Sequence, residues 1–292
     1  MTADTVRVPY TTQVARPAPR AGPLATDTHH HIFDDRFPST GGKPPPQATA
    51  ADYRSFRTWL GLSRSVVVAP SNYGTDHRNV LQSIAELGPD TTRGVVIADP
   101  GVDPGELRDL HSAGVRGVRV YLTKNRVPTA GELRVLARKV ADRGWVLQLV
   151  AGSGDEVLPR WEAVLGELPC RVVIDHLGWT PQPAGAHSAT AGTLFRLIER
   201  GHVYVKVSGF YLSSVTGPPA YSDVDAFATT VCRRAPERVV WGTDWPHPVA
   251  LLRGEALPDD AALLDRLGVW LPDETDRERV LADTPTVLYW SD

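Results

Sequence analysis

Short apolar runs recur along the chain, and each is followed by a longer stretch whose apolar residues return every three or four positions. The runs fall at 25–33, 65–69, 94–98, 115–121, 145–150, 171–175, 203–207 and 239–244. Runs this short with little polar alternation predict strands buried on both faces. The helical periodicity falls at 50–60, 77–87, 104–113, 130–143, 157–168, 193–200 and 224–234, with two further helical stretches after the last strand. Tyr53, Phe56 and Trp59 share one face of the first predicted helix and are expected in the core. Residues 38–46 are rich in Pro and Gly and predict a long loop. Eight strands alternating with helices imply parallel pairing through right-handed crossovers. The expected fold is an α/β single domain, a (β/α)8 TIM-like barrel over 23–292, preceded by a flexible arm over 1–22. An open dinucleotide-binding sheet would need a Gly-x-Gly-x-x-Gly turn after the first strand, where Thr28-His29-His30-His31 stands instead.

Size and charge fit that fold. The 292 residues lie within the range of one such barrel, and 42% hydrophobic with 22% charged residues is ordinary for a globular chain. A net charge of −3 supplies no general attraction to nucleic acid or to acidic membranes, so neither is an expected partner. No apolar run approaches the ~20 residues needed to cross a bilayer, and the arm lacks a signal-type apolar stretch. The expected location is cytoplasmic. Cys170 and Cys232 match no disulfide or zinc pattern and are expected to be reduced thiols in or near the core.

Active sites of such barrels lie at the C-terminal strand ends. Those ends bring His29 and His31, then Ser71, Tyr73 and Thr75, then Arg119 and Tyr121, Gln148, His176, Lys206 and Ser208, and finally Asp244 with His247 beyond. Strand alternation places Asp27, His29 and His31 on one face and Thr28, His30 and Ile32 on the other. Two imidazoles one strand repeat apart, backed by a carboxylate, can bind a metal or hold a water and pass on its proton.

Asp27-Thr28-His29-His30-His31, Ile174-Asp175-His176-Leu177-Gly178 and Trp241-Gly242-Thr243-Asp244-Trp245-Pro246-His247-Pro248 resemble the amidohydrolase superfamily. Within it the chain is similar to the amidohydrolase-2 group of lactone-processing enzymes, the pyrone-dicarboxylate lactonases and related sugar-lactone hydrolases and isomerases. Tyr73-Gly74-Thr75-Asp76-His77-Arg78, Lys206-Val207-Ser208-Gly209 and residues 282–289 fit the same group, so the resemblance runs from about Leu24 to Tyr289. It implies a hydrolase that opens a small lactone, with Asp244 as the general base of the attacking water. His29, His31 and His176 would polarise the carbonyl and stabilise the oxyanion.

Many superfamily members bind a divalent ion through the first-strand His pair, the last-strand Asp and a ligand from strand four or five. Here those strands offer Arg119 and Gln148; arginine cannot ligate and glutamine is a weak zinc ligand. The resemblance therefore implies no cofactor; the alternative is a single zinc on His29, His31 and Asp244 with His176. Arg119 and Lys206 are expected to grip a substrate carboxylate, with Tyr73, Thr75, Gln148 and His247 as further contacts. The loops at 38–48, 179–191 and 211–221, which carry Trp179 and Tyr211, are expected to set specificity. Competing readings are a metal-dependent decarboxylase of a small aromatic or unsaturated acid, a lactone isomerase, and a barrel that binds a metabolite without turnover.

Overall fold

The computed structural model describes residues 9–11, 22–124 and 126–291. Eight strands alternate with helices: β1 (Thr26–His30), α1 (Ala50–Leu60), β2 (Arg64–Val68), α2 (Arg78–Leu87), β3 (Thr92–Val96), α3 (Pro104–Ser112), β4 (Val115–Tyr121) and α4 (Ala130–Ala141). The second half continues with β5 (Val146–Val150), α5 (Val157–Leu165), β6 (Arg171–Ile174), α6 (Ala189–Glu199), β7 (Val203–Val207), α7 (Ser222–Arg234) and β8 (Val239–Trp241). Short helices then run from Pro248 to Tyr289. The strands pair in parallel in the order β1 to β8, the single (β/α)8 barrel expected.

Local chemistry explains several boundaries. Thr49 with Asp52, and Thr129 with Glu132, form capping boxes that satisfy the first orphan amides of α1 and α4. Tyr53, Phe56 and Trp59 of α1 are buried as expected, each contributing on the order of 1.5–3 kcal/mol through apolar burial. α6 starts four residues before the expected position, because Ser188 caps it by accepting from Ala191 N–H. β8 ends three residues early, at Trp241. The seam closes beyond it, where Asp244 N–H donates to His29 O and His31 N–H donates to Trp245 O, both at 2.8 Å.

β1 departs from simple alternation. Asp27 pairs with Ser65 but His30 pairs with Val67, so β1 carries one extra residue against β2. Such a bulge re-aims the side chains on either side of it. Asp27 therefore turns with His30 toward α1: Tyr53 donates its hydroxyl to Asp27 Oδ2 at 2.9 Å, and the His30 ring stacks on Tyr53 with centroids 3.5 Å apart. The carboxylate expected behind the His29–His31 pair is not Asp27.

Of the arm expected over 1–22, residues 1–8 and 12–21 lie outside the described residues. Pro9 O accepts from Trp245 Nε1–H at 3.2 Å, and Tyr10 packs edge-on against the same indole. Cys170 and Cys232 are buried and unpaired with each other. Among the described residues, no helix is long and apolar enough to cross a membrane.

Candidate active site

Alternation on β4 to β7 carries Arg119, Gln148, Asp175 and Lys206 into the barrel, one pleat repeat above Gly117, Val146, Val173 and Tyr204. Asp175 is the hub. Arg119 Nη2 donates to its Oδ2 at 3.2 Å and Gln148 Nε2 donates to the same oxygen at 2.9 Å. Lys206 Nζ stands 3.2 Å, and His29 Nδ1 3.3 Å, from its Oδ1. Burial would raise the Asp175 carboxyl, but Lys206, His29 and Arg119 hold it well below the usual carboxylate range. Burial lowers Lys206 to about 8 against the pull of Asp175, so the ammonium remains charged at neutral pH.

Contacts run from that layer toward the cavity. Lys206 Nζ lies 3.1 Å from His29 Nδ1, and Asp175 Oδ1 lies 3.3 Å from the same nitrogen. His29 Nε2 faces His31 Nε2 at 3.2 Å, and His31 Nδ1 donates to Val68 O at 2.7 Å. Burial, and after it Lys206, pushes the His29 imidazole well below its ordinary value, consistent with a neutral ring.

Asp244 closes the group. Its Oδ1 lies 3.4 Å from both His29 Nε2 and His31 Nε2 and 3.9 Å from His176 Nε2, while Tyr211 donates to its Oδ2 at 2.7 Å. Burial would raise this carboxyl; His176, His31 and His29 overturn that and hold it well below the usual range. His176 Nδ1 shares a hydrogen with Ser208 Oγ at 2.9 Å, and burial pushes the imidazole down to about 4. His176 and Asp244 both have left-handed backbone (φ 53° and 64°), a conformation costing about 1–2 kcal/mol for a side-chain-bearing residue. Gly242 permits the approach of β8 to β1, since a Cβ there would lie 2.7 Å from His29 Cβ.

His31, His176, Asp244 and Arg119 line a cavity of about 110 Å³ together with Lys124, Trp179 and Leu212. The other expected site residues stand apart from it. Lys206, Gln148, His247 and the expected catalytic His29 have no exposed surface, and none lines the cavity: the first two are tied to Asp175, His247 Nε2 bonds Asp260 Oδ2 at 2.9 Å, and His29 touches His31 and Asp244 from within the wall. Their position one strand step below the rim, or behind Tyr211, is the reason. Tyr73 and Thr75 line a larger neighbouring chamber. Sequence reasoning passed over Asp175, although its alternation with Val173 was a usable signal, and gave Tyr211 only a loop role.

His29 Nε2, His31 Nε2 and Asp244 Oδ1 form a group able to hold a metal ion. Their separations of 3.2, 3.4 and 3.4 Å match the ~3.3 Å between donors around tetrahedral zinc with bonds near 2.0–2.1 Å. The charge does not match. Lys206 and Arg119 both pair with Asp175, and Arg119 Nη2 also stands 3.5 Å from His29 Nε2, one of the three donors. A divalent ion on this set would be buried against the like charge of the Arg119 guanidinium.

A profile of the amidohydrolase family matches residues 26–289. The chain belongs to the amidohydrolase family. This amidohydrolase is 34% identical to the 2-pyrone-4,6-dicarboxylate hydrolase of Comamonas testosteroni over 91% of its own length and 90% of that protein. It is 33% identical to the D-galactarolactone isomerase of Agrobacterium fabrum (strain C58 / ATCC 33970), again over 91% and 90%. An apo crystal structure of an Agrobacterium tumefaciens protein superposes with a TM-score of 0.82 at 30% identity, covering 94% of this chain and 99% of that one.

Proposed function

We propose that this amidohydrolase opens the ring of a small lactone by water attack on its ester carbonyl, with Asp244 as the general base. The observation that carries the reading is Asp244 Oδ1 within 3.4 Å of two histidine nitrogens at the wall of a cavity. Asp244 takes one proton as the water oxygen adds to the carbonyl carbon. Collapse of the tetrahedral intermediate breaks the ring C–O bond, and the departing oxygen recovers that proton from Asp244, giving a hydroxy acid. A carboxyl held below the usual range is a weak base, so much of the barrier must fall through oxyanion stabilisation. Arg119 and His176, both at the cavity wall, supply the positive charge and the N–H for it. Arg119 also has the fork geometry to hold a substrate carboxylate.

No step is assigned to a metal, because the Arg119 guanidinium already stands against the donor set. The similarity to a lactone isomerase favours a second reading, in which a substrate hydroxyl replaces the water and the acyl group moves between oxygens. Turnover of a lactone panel in water labelled with heavy oxygen separates the two: hydrolysis places the label in the carboxylate and isomerisation does not. Asp244→Asn should lower kcat by about 10²–10⁴-fold with an unchanged melt. Full activity in that variant, or release of carbon dioxide in place of acid, would overturn the reading. Metal analysis of active protein, with assay after chelator treatment, checks the cofactor-free form.

A further inference from the structure

The cavity around Asp244 has a volume of about 110 Å³, well under the ~300–1,000 Å³ of ordinary small-molecule sites. It accommodates a lactone ring and little else. Beside it lies a chamber of about 630 Å³ at the ends of β2, β3 and β4, and Ser71, Arg119 and Tyr121 line both spaces. Tyr121 stands at that boundary with the Arg119 guanidinium 5.1 Å from its ring centroid, so side chains contribute to the partition.

The two spaces differ in chemistry. The Arg119 guanidinium borders both spaces and is tied to Asp175, while the Lys124 ammonium, 4.9 Å from the Tyr121 ring centroid, lines the reaction cavity and not the chamber. The chamber is walled by Tyr73, Ile97, Ala98, Val120 and Leu136, among other groups. Its charged rim groups already have partners: Arg126 pairs with Asp99 at 3.5 Å and with Glu132, and Asp76 pairs with Arg78 at 2.6 Å. A second anion entering there would meet cations already neutralised, whereas an alkyl or aryl group would gain apolar contact.

We propose that the chamber is the subsite for an uncharged, apolar arm of the substrate, so that the preferred lactone carries an alkyl or aryl substituent passing the Tyr121–Ser71 partition. The proposal rests on the lactonase reading for the ring and adds the class of the substituent.

The test uses the full chain and three δ-lactones with a common ring: δ-valerolactone, δ-undecalactone with its alkyl arm, and an analogue whose arm of equal length ends in a carboxylate. Wild type should favour the alkyl arm over the bare ring by ~10-fold or more in kcat/KM, each well-buried methylene being worth up to such a factor. Ala98→Phe, which fills the chamber from the end of β3, should remove that preference through KM and leave the bare ring within about twofold. Leu136→Phe, on α4, is the second filling variant should the first melt early. Equal rates on bare and alkyl-armed lactones, preference for the charged arm, or parallel losses on all three in a filled variant would overturn the proposal. Should no lactone turn over, the function above fails, and calorimetric binding of the matching δ-lactams still decides the chamber. Tighter binding of the armed lactam, lost in Ala98→Phe, supports the subsite; equal binding sinks it.

Discussion

Inside the barrel, Val146, Val173, Tyr204 and Val240 belong to an apolar cluster floored by Tyr289, while Gln148, Asp175 and Lys206, two residues further along β5 to β7, make up a charged network. Both layers are almost completely buried. They differ in what holds them. The lower layer rests on non-directional apolar contact, in which any side chain of similar volume serves. The upper layer rests on opposite charges whose burial is tolerable only while every partner is present. The upper layer also holds His29 against His31 and Asp244, so one strand step separates a packing role from a chemical one.

The largest effect should come from breaking the hub. Asp175→Asn leaves Lys206 and Arg119 without their shared counter-ion, and should cost about 3–5 kcal/mol of stability, read as a lowered urea midpoint. The folded fraction should also lose turnover, because Lys206 and His29 would rearrange. Val173→Ala, directly below, removes two methyl groups and should cost about 2 kcal/mol with kcat retained. Equal losses of kcat in the two variants would mean that the layers are not separable in the way described.

A pH titration sharpens the same contrast at smaller scale. His176 stays neutral down to about 4 in the folded chain, whereas an unfolded histidine protonates near 6.5. Between those values the unfolded state binds the extra proton, so this group's contribution to stability is complete above pH 6.5 and is lost as pH falls toward 4. The full span is on the order of 3 kcal/mol. Urea unfolding of wild type and His176→Asn from pH 7 to pH 4 should show the acid slope reduced in the variant. Asp27, raised to about 6 by burial, acts in the opposite sense and is present in both proteins, so their difference reports His176 together with its contact to Asp244. An unchanged slope would assign the acid sensitivity elsewhere.

The barrel was legible because parallel strands covered on both faces leave apolar runs that little else produces. The rim residues were legible for a related reason, since polar side chains at the ends of such runs have few other uses. What joins them was not. The network around Asp175 depends on lateral register, with Arg119 beside Gln148 and Gln148 beside Val173, and register across a parallel sheet leaves no local signature. Lys206 and Arg119 look alike as cations on strands, yet Arg119 reaches the cavity and Lys206 ends within the wall. The extra residue in β1 was equally invisible, and it reversed the face assigned to Asp27.

That bulge also produces the smallest predicted effect. His31 lines the cavity and His29 contacts Asp244 within its wall, whereas neither nitrogen of His30 has a hydrogen-bond partner among the described residues, although the ring is completely buried against Tyr53. A buried polar group without partners costs about 1–3 kcal/mol relative to an apolar group of the same shape. Stacking with centroids 3.5 Å apart would be kept by a phenyl ring. His30→Phe should therefore stabilise the protein by roughly 1 kcal/mol, a rise of about 2–4 °C in Tm for a chain of this size. Catalysis should be unchanged, because the ring faces α1 and not the cavity. A fall in kcat with an unaltered melt would show that His30 communicates with the cavity side of β1, and the separation between the two faces of that strand would have to be abandoned.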